Sequence, residues 1–258
     1  MYASLAPGCD AVLDICAWGY ALSQIRVWDG SETGEPIFDS HDAPYVAMLY
    51  DQPWLQKGLP AVHSRRLYAA VSDRHHPAQI GLVYPQLALT GCAYAPPAAR
   101  AENDRSVAWP KRDIEVLHVG NLQYQTLKRL WRVDVNAHLF DAVADAALAN
   151  PTLPLHRTLL SVGRELGFSV DAARALEMLR PIEYFLRTRY RYDAVLRLAS
   201  AGVPLTVVGA GWDQVQLPHN VTLLPSTDYD GFLALAGRSK ICLDASSYPG
   251  GLNDRVLN

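Results

Sequence analysis

The sequence predicts an α/β fold with a parallel sheet in each half of the chain. Short apolar runs bounded by turn residues alternate with longer stretches of helical periodicity, which is the pattern of parallel strands joined by crossover helices. Glycine turns follow two of the predicted strands, at Gly120 and at Gly209. Because open α/β sheets bind nucleotides and phosphates at the carboxyl ends of their strands, these turns are candidate ligand-facing loops.

Composition narrows the class of protein. The chain has 258 residues, of which 50% are hydrophobic and 19% are charged, as in globular domains. Its formal net charge of -3 does not favour a nucleic-acid partner. The sequence has no apolar run of transmembrane length and no pattern that favours secretion. Four scattered cysteines without a C-x-x-C pair indicate thiols in a reducing compartment, so we expect a cytoplasmic protein.

Residues 1–111 are predicted to form a partial domain followed by a linker. Buried strands are expected over residues 11–15, 45–50, 67–71 and 87–92. Proline, alanine and charged residues without periodicity fill residues 95–111, which is typical of a linker.

Residues 112–258 are predicted to form a second domain with a helical segment. Strands are expected over residues 113–119, 205–208, 221–224 and 241–243. A helical region is expected over residues 122–200, with breaks at Pro151, Pro154, Gly167 and Pro181. Asp228 is expected to cap a further helix, and the predicted buried face of that helix is Tyr229, Phe232, Leu233 and Ala236.

The turn Gly209-Ala210-Gly211-Trp212 is one candidate for nucleotide contact. A dinucleotide fingerprint would need a third glycine where Gln214 stands, so that motif fails. Two glycines still allow a ligand to approach the backbone closely, and Trp212 could stack on a base or a sugar. The alternative is a tight turn with a packed tryptophan.

The tail of the chain is a candidate anion site. Gly250 and Gly251 form a flexible turn, and Asn253 and Asp254 can cap the helix that follows it. A helix start and the guanidinium of Arg255 both suit diphosphate oxygens. The alternative is a capped helix whose Arg255 is solvated or paired with Asp254.

Three further turns follow predicted strands. Gly120 and Asn121 form either a ligand-facing loop or an ordinary βα turn. The Asp51 carboxylate can accept a proton or a sugar hydroxyl, or it can cap a turn. Adjacent histidines point to different faces, so His75 and His76 do not favour a shared metal ion. Either one of them reaches a cleft or both lie at the surface.

Several short motifs together resemble one known group of enzymes. In the second half they are residues 113–121, Arg191-Tyr192-Asp193, the turn at Gly209, residues 239–243 and Leu-Asn-Asp-Arg-Val-Leu-Asn at 252–258. Residues 43–46 and 51–54 of the first half fit the same pattern. In this combination the chain resembles the glycosyltransferases of the spore-maturation CgeB-like group, within the wider GT-B class.

The resemblance implies two Rossmann-like domains with parallel sheets that face a cleft, the N-terminal one incomplete. The C-terminal domain would bind a UDP- or GDP-linked sugar, and the N-terminal domain an acceptor that is a protein, a glycan or a lipid-linked molecule. Arg255 would stabilise charge on the leaving group. With Asp51, whose carboxylate follows a strand, it makes up the catalytic residues that we expect. We expect no other cofactor and no metal ion, because arginine and helix-start charge replace the cation. The donor contacts implied are Gly120, Asn121, Gly209, Gly211, Trp212, Gly250, Gly251, Asn253, Asp254 and Asn258, where many relatives have a glutamate in place of Asn258.

The resemblance also implies a hexosyltransferase-like chain that is truncated at both ends. We expect a fragment or a partner-dependent remnant, inactive when isolated, whose fold a protein partner completes. One alternative is a non-catalytic, degenerate module that acts as a scaffold or a nucleotide-sugar sensor. Another is a nucleotide-sugar epimerase, which would need an acid/base pair in the cleft.

Overall fold

The computed structural model describes residues 10–17, 19–27, 33–96, 107–129 and 137–245. Over these ranges the chain is an α/β protein with two parallel four-stranded sheets, which confirms the predicted class and is compatible with Rossmann-like units. Contacts group the described residues into two compact units. Unit 1 contains those up to residue 96 together with Phe168–Arg180, and unit 2 contains those of 107–167 and 181–245.

Unit 1 is built on a sheet of four parallel strands. The strands are β1 (Val12–Ile15), β4 (Tyr45–Leu49), β5 (Leu67–Val71) and β6 (Gly91–Tyr94), and they lie in that order. A separate antiparallel ribbon consists of β2 (Arg26–Val27) and β3 (Glu35–Pro36). The helices are α1 (Tyr20–Ser23), α2 (Ile37–Ser40) and α3 (His76–Val83). Along β4 and β5 every second residue is fully buried, as expected of central strands that pack one face on the core.

Unit 2 has a second sheet in which the strand order reverses. Its strands are β7 (Ile114–Val119), β8 (Leu205–Val208), β9 (Val221–Leu224) and β10 (Ser239–Leu243). They are all parallel, in the order β10-β7-β8-β9. The longer helices are α4 (Ala137–Ala149), α5 (Leu155–Glu165), α6 (Ala172–Ser200), which belongs to unit 2 from Pro181 onward, and α7 (Tyr229–Arg238).

The two faces of this sheet are covered by different helices. On one face Val116, Leu205 and Val207 form a core cluster with Val195 and Ala199 of α6. On the other face, Leu117 and Val208 belong to a second cluster, and Leu235 and Ala236 of α7 pack against it. The chain therefore crosses from one face to the other between β7 and β10.

Most of the predicted strands are confirmed, with ends that agree within two residues. The strand predicted over residues 87–92 is wrong in its bounds, because β6 begins only at Gly91. Leu87 and Leu89 are engaged in turn hydrogen bonds instead: the Leu87 amide donates to Tyr84 O at 2.9 Å, and the Leu89 amide donates to Leu87 O at 3.1 Å.

The break predicted at Pro181 is wrong as well, because α6 runs through it. A proline inside a helix removes one backbone hydrogen bond and costs about 3 kcal/mol. Met178, Leu179, Ile182 and Phe185 around it are all at most 2% exposed, so the burial of apolar side chains offsets that cost. The breaks at Pro151, Pro154 and Gly167 are confirmed, since these residues lie between helices.

Helix α7 begins at the predicted cap. The Asp228 carboxylate accepts a hydrogen bond from the Gly231 amide at 2.8 Å. The predicted buried face is wrong in part: Tyr229 is 49% exposed, and Leu235 and Ala236 make the contact with the sheet.

We expect Asp228→Ala to lower the free energy of unfolding by about 1 kcal/mol, because it leaves an amide of the first turn without its acceptor. Asp228→Asn keeps the acceptor oxygen and serves as the matched control, with a loss of only a few tenths of a kcal/mol. Urea denaturation followed by circular dichroism measures both. Equal losses in the two variants would show that the cap contributes nothing.

Candidate functional site

The reversal of strand order in unit 2 defines a candidate ligand site. After β7 the chain adds β8 and then β9 on one side of β7 in the sheet. It then returns to place β10 on the opposite side of β7. In open parallel sheets, ligands bind at the carboxyl ends of the strands that flank such a reversal. Here those ends carry Gly120 and Asn121 after β7, and Asp244 after β10.

Hydrogen bonds join the loop after β7 to the loop after β8. The Gly120 amide donates to Val208 O at 2.8 Å, and the Leu122 amide donates to Ala210 O at 2.9 Å. The Asn121 side chain completes the link, since its Oδ1 accepts from the Ala210 amide at 2.9 Å. The structure thus brings together the predicted residues at positions 120, 121, 209 and 211.

Glycine is required where these two loops touch. Gly209 has a φ of +142°, and a Cβ at this position would lie 2.5 Å from Gly120 O. Gly211 has a φ of +85°, and a Cβ there would lie closer still to Leu122 O. Any larger residue would push the loops apart as well as strain the backbone. The two glycines therefore serve the loop packing directly.

The indole of Trp212 closes the core beneath the loops. It is 1% exposed, its Nε1 donates to Gly120 O at 2.7 Å, and its ring meets His118 edge to face with centroids 5.7 Å apart. The His118 ring, on β7, has its Nδ1 3.2 Å from Leu243 O of the neighbouring strand β10. This arrangement supports the alternative of a tight turn with a packed tryptophan, because a buried ring has no exposed face for stacking.

The polar groups at the surface of the site surround Asn121, which is exposed. Arg191 Nη1 donates to Asn121 O at 3.1 Å, and Ser226 Oγ lies 3.4 Å from Asn121 Oδ1. The amides of Gly120, Gly209 and Ala210 all donate within the protein. An anion would therefore meet the Arg191 cation and the Asn121 side chain rather than those three amides.

Arg191, Ser226 and Asp244 were not predicted as site residues. Ser226 and Asp244 follow strands within two residues, and a polar residue in that position is a usable sequence signal. Arg191 lies within α6, and its place beside Asn121 depends on how that helix packs, which the sequence does not reveal.

The candidate anion site at the end of the chain, in residues 250–258, lies outside the described residues. This applies to the expected anion-binding and catalytic residues there, namely Gly250, Gly251, Asn253, Asp254, Arg255 and Asn258. Their roles stay predictions, and they follow β10 in the chain.

Asp51 lies in unit 1, directly after β4, and is partly exposed. The next residue, Gln52, is buried, as are Asp73 and His76 at the end of the neighbouring β5. His76 is 0% exposed, so the surface role left open for it is wrong. Burial lowers the pKa of His76 to about 4, although the carboxylates of Asp73 and Asp51 act in the opposite direction.

One Asp-x-Asp triplet, a pattern that can hold a metal-bound diphosphate, is present at Asp228-Tyr229-Asp230 and bears on the expected metal independence. The Asp228 carboxylate caps α7, as described above. Within the described ranges, no three side chains of His, Cys, Asp or Glu are grouped as a metal ion would require. Of the cysteines in these ranges, Cys16 is buried, Cys92 and Cys242 are exposed, and none forms a disulfide.

Comparison of the chain with protein-family models, with curated proteins and with solved structures gives no match. None of the helices in the described part of the chain combines the length and the apolar character needed to cross a membrane.

We expect Gly209→Ala to destabilise the protein by roughly 2–3 kcal/mol, because the added Cβ meets a backbone carbonyl. Gly202→Ala is the matched control: Gly202 also has a positive φ, of +83°, but a Cβ there would have nothing within 4 Å. It should cost about 1 kcal/mol from backbone strain alone. Equal losses of stability for Gly209→Ala and Gly202→Ala in urea denaturation would mean that the loops move apart at no cost, and this would contradict the prediction.

We expect acid to destabilise the protein through His76. Its pKa lies at about 4 when folded, against 6.5 when unfolded. Below pH 6.5 the unfolded state therefore binds a proton that the folded state rejects. The stability associated with the neutral ring is complete above pH 6.5 and is lost as the pH falls toward 4, by about 3 kcal/mol in total.

Urea denaturation of the wild type and of His76→Phe at pH 7 and pH 4 tests this. The variant should lose less stability between the two values, because it has no ring to protonate. Parallel losses in both proteins would contradict the assignment.

Proposed function

We propose that this protein binds a nucleotide-diphosphate sugar at the carboxyl ends of β7 and β10 and transfers the sugar to an acceptor hydroxyl. The observation that supports the proposal best is the position of Asn121, which follows β7 beside the reversal of strand order between β7 and β10 and is joined to the loop after β8. Such a position is the usual site for nucleotides and phosphates in parallel sheets. The finer assignments, a GT-B architecture and a relationship to CgeB-like transferases, are part of this proposal.

The chemistry needs a cation near the leaving group. In the transfer, an acceptor oxygen bonds to the anomeric carbon, and the bond from that carbon to the diphosphate oxygen breaks. Negative charge then develops on the diphosphate. Arg191, which donates to Asn121 O at 3.1 Å, supplies one guanidinium at this edge. Arg255 is the second in the proposal, by virtue of the resemblance described above.

The reaction also needs a group that binds the sugar or ribose hydroxyls and a group that accepts the acceptor's proton. The carboxylate of Asp244, after β10, is suited to accept hydrogen bonds from sugar or ribose hydroxyls. Asp51 is proposed as the carboxylate that receives the acceptor's proton. A nucleotide-sugar-binding module without transferase activity is the second candidate, favoured by the internal use of the Gly120, Gly209 and Ala210 amides.

Calorimetric titration with UDP-glucose and GDP-mannose tests donor binding. We expect Asn121→Asp to weaken binding by about tenfold or more, because it keeps the acceptor for the Ala210 amide but adds a charge that repels the diphosphate. Asn150→Asp is the matched control: Asn150 is exposed after α4, and its Oδ1 accepts from Thr152 Oγ1 at 2.8 Å. It should bind the donor as the wild type does.

Arg255→Ala should also weaken binding. Absence of binding to either nucleotide sugar, or equal effects of the two asparagine variants, would overturn the proposal. Donor binding without transfer or hydrolysis would favour the binding module over the transferase.

A further inference from the structure

A second polar cluster lies at the carboxyl edge of the sheet in unit 1. Asp51 and Gln52 follow β4, and Asp73 and His76 follow β5. β4 and β5 are neighbours, with Leu49 paired to Val71 in the last row. The short 3-10 helix Pro53–Leu55, which follows Gln52, packs against α3, which begins at His76. The carboxylates of Asp51 and Asp73 both act electrostatically on the His76 ring.

Two buried side chains of this cluster carry polar atoms that have no hydrogen-bond partner among the described residues. His76 is 0% exposed, and among the described residues neither of its ring nitrogens has a partner. Gln52 is 4% exposed, and its Oε1 also has no hydrogen-bond partner among the described residues. A buried polar atom without a partner is destabilising, and an apolar replacement of the same shape is neutral or stabilising. Two such side chains at one sheet edge indicate that groups from outside the protein satisfy them.

The chemistry of these atoms selects the class of ligand. A neutral imidazole donates one hydrogen bond and accepts another, and the Gln52 carbonyl oxygen only accepts. A hydroxyl group can donate to one of them and accept from the other. An ammonium group could not accept from the ring N–H.

An anion does not fit this edge. Asp51 and Asp73 would repel it, and the start of α3 is already served by Asp73, whose Oδ1 accepts from the His75 amide at 2.7 Å. Asp51 is partly exposed and can accept a hydrogen bond from a second hydroxyl.

We propose that this edge of unit 1 binds a neutral polyhydroxylated molecule, a sugar or a polyol. One hydroxyl contacts His76 and Gln52, and a neighbouring hydroxyl contacts Asp51. The inference goes beyond the proposed function. It shares Asp51 with that function, but it rests on the buried atoms of Gln52 and His76, which the proposed function does not use, and it involves no nucleotide and no residue of unit 2.

The full chain with ¹⁵N-labelled histidine provides the test, because the ring-nitrogen resonances of His76 report directly on the site. Glucose and myo-inositol are the neutral probes, and inorganic phosphate is the anionic one. We expect at least one neutral probe to shift the His76 resonances saturably at neutral pH, and phosphate to leave them in place. Gln52→Met should weaken that binding about tenfold or more without lowering the thermal midpoint.

Gln56→Met is the matched control, since Gln56 is also 4% exposed and adjoins the same 3-10 helix. It should leave the affinity for the probe unchanged. If Gln52→Met does not fold, His76→Phe replaces it, with binding followed by calorimetry. No saturable response to either polyol, an equal response to phosphate, or unchanged affinity in the folded variant would each overturn the proposal. A bound water in place of a ligand would appear as the first of these results.

Discussion

The contact between the loops after β7 and β8 is the constraint on which the candidate site depends. Gly209 passes so close to the Gly120 carbonyl that no side chain fits between them. That closeness lets the Trp212 indole donate to the same carbonyl from the core side. It also holds Asn121 in position, since the Asn121 side chain accepts from the next amide of the opposite loop. One backbone contact therefore closes the core and positions an exposed polar residue where the strand order reverses.

Unit 1 uses the corresponding edge of its sheet differently. In unit 2 the loop amides at the strand ends are satisfied by neighbouring carbonyls and by Asn121. In unit 1 the strand ends carry buried side chains, and two of these, Gln52 and His76, have atoms without partners in the described ranges. Native proteins tolerate few such groups, because each costs about 1–3 kcal/mol. On the proposal that this edge binds a polyol, the stability lost here is a cost of binding.

The sequence predicts more of the fold than of the site. Strands such as Leu205–Val208 are readable because apolar β-formers stand between turn residues, and the Asp228 cap is readable because capping is local. The failure at Pro181 has a different origin, because burial of the surrounding helix decides it. The sequence offers Gly209 as a ligand-facing residue, which stays a prediction, but it does not reveal the close approach to Gly120, because that is a tertiary contact between loops far apart in sequence. The burial of His76 likewise depends on tertiary packing and cannot be predicted from the local sequence.

The two edges differ in the charge of the ligand that they can accept. Beside Asn121 the Arg191 guanidinium supplies a permanent positive charge, since arginine stays protonated in proteins. At the other edge, burial keeps the His76 ring neutral near pH 7, with a pKa of about 4, and leaves the local charge to Asp51 and Asp73. In the two proposals, a phosphate-bearing molecule would be attracted to the first edge and repelled by the second, and a neutral polyol would gain nothing from the first cation. The residue types that follow the parallel strands are thus the reason why the two proposals assign an anion to one edge and a hydroxyl-bearing ligand to the other.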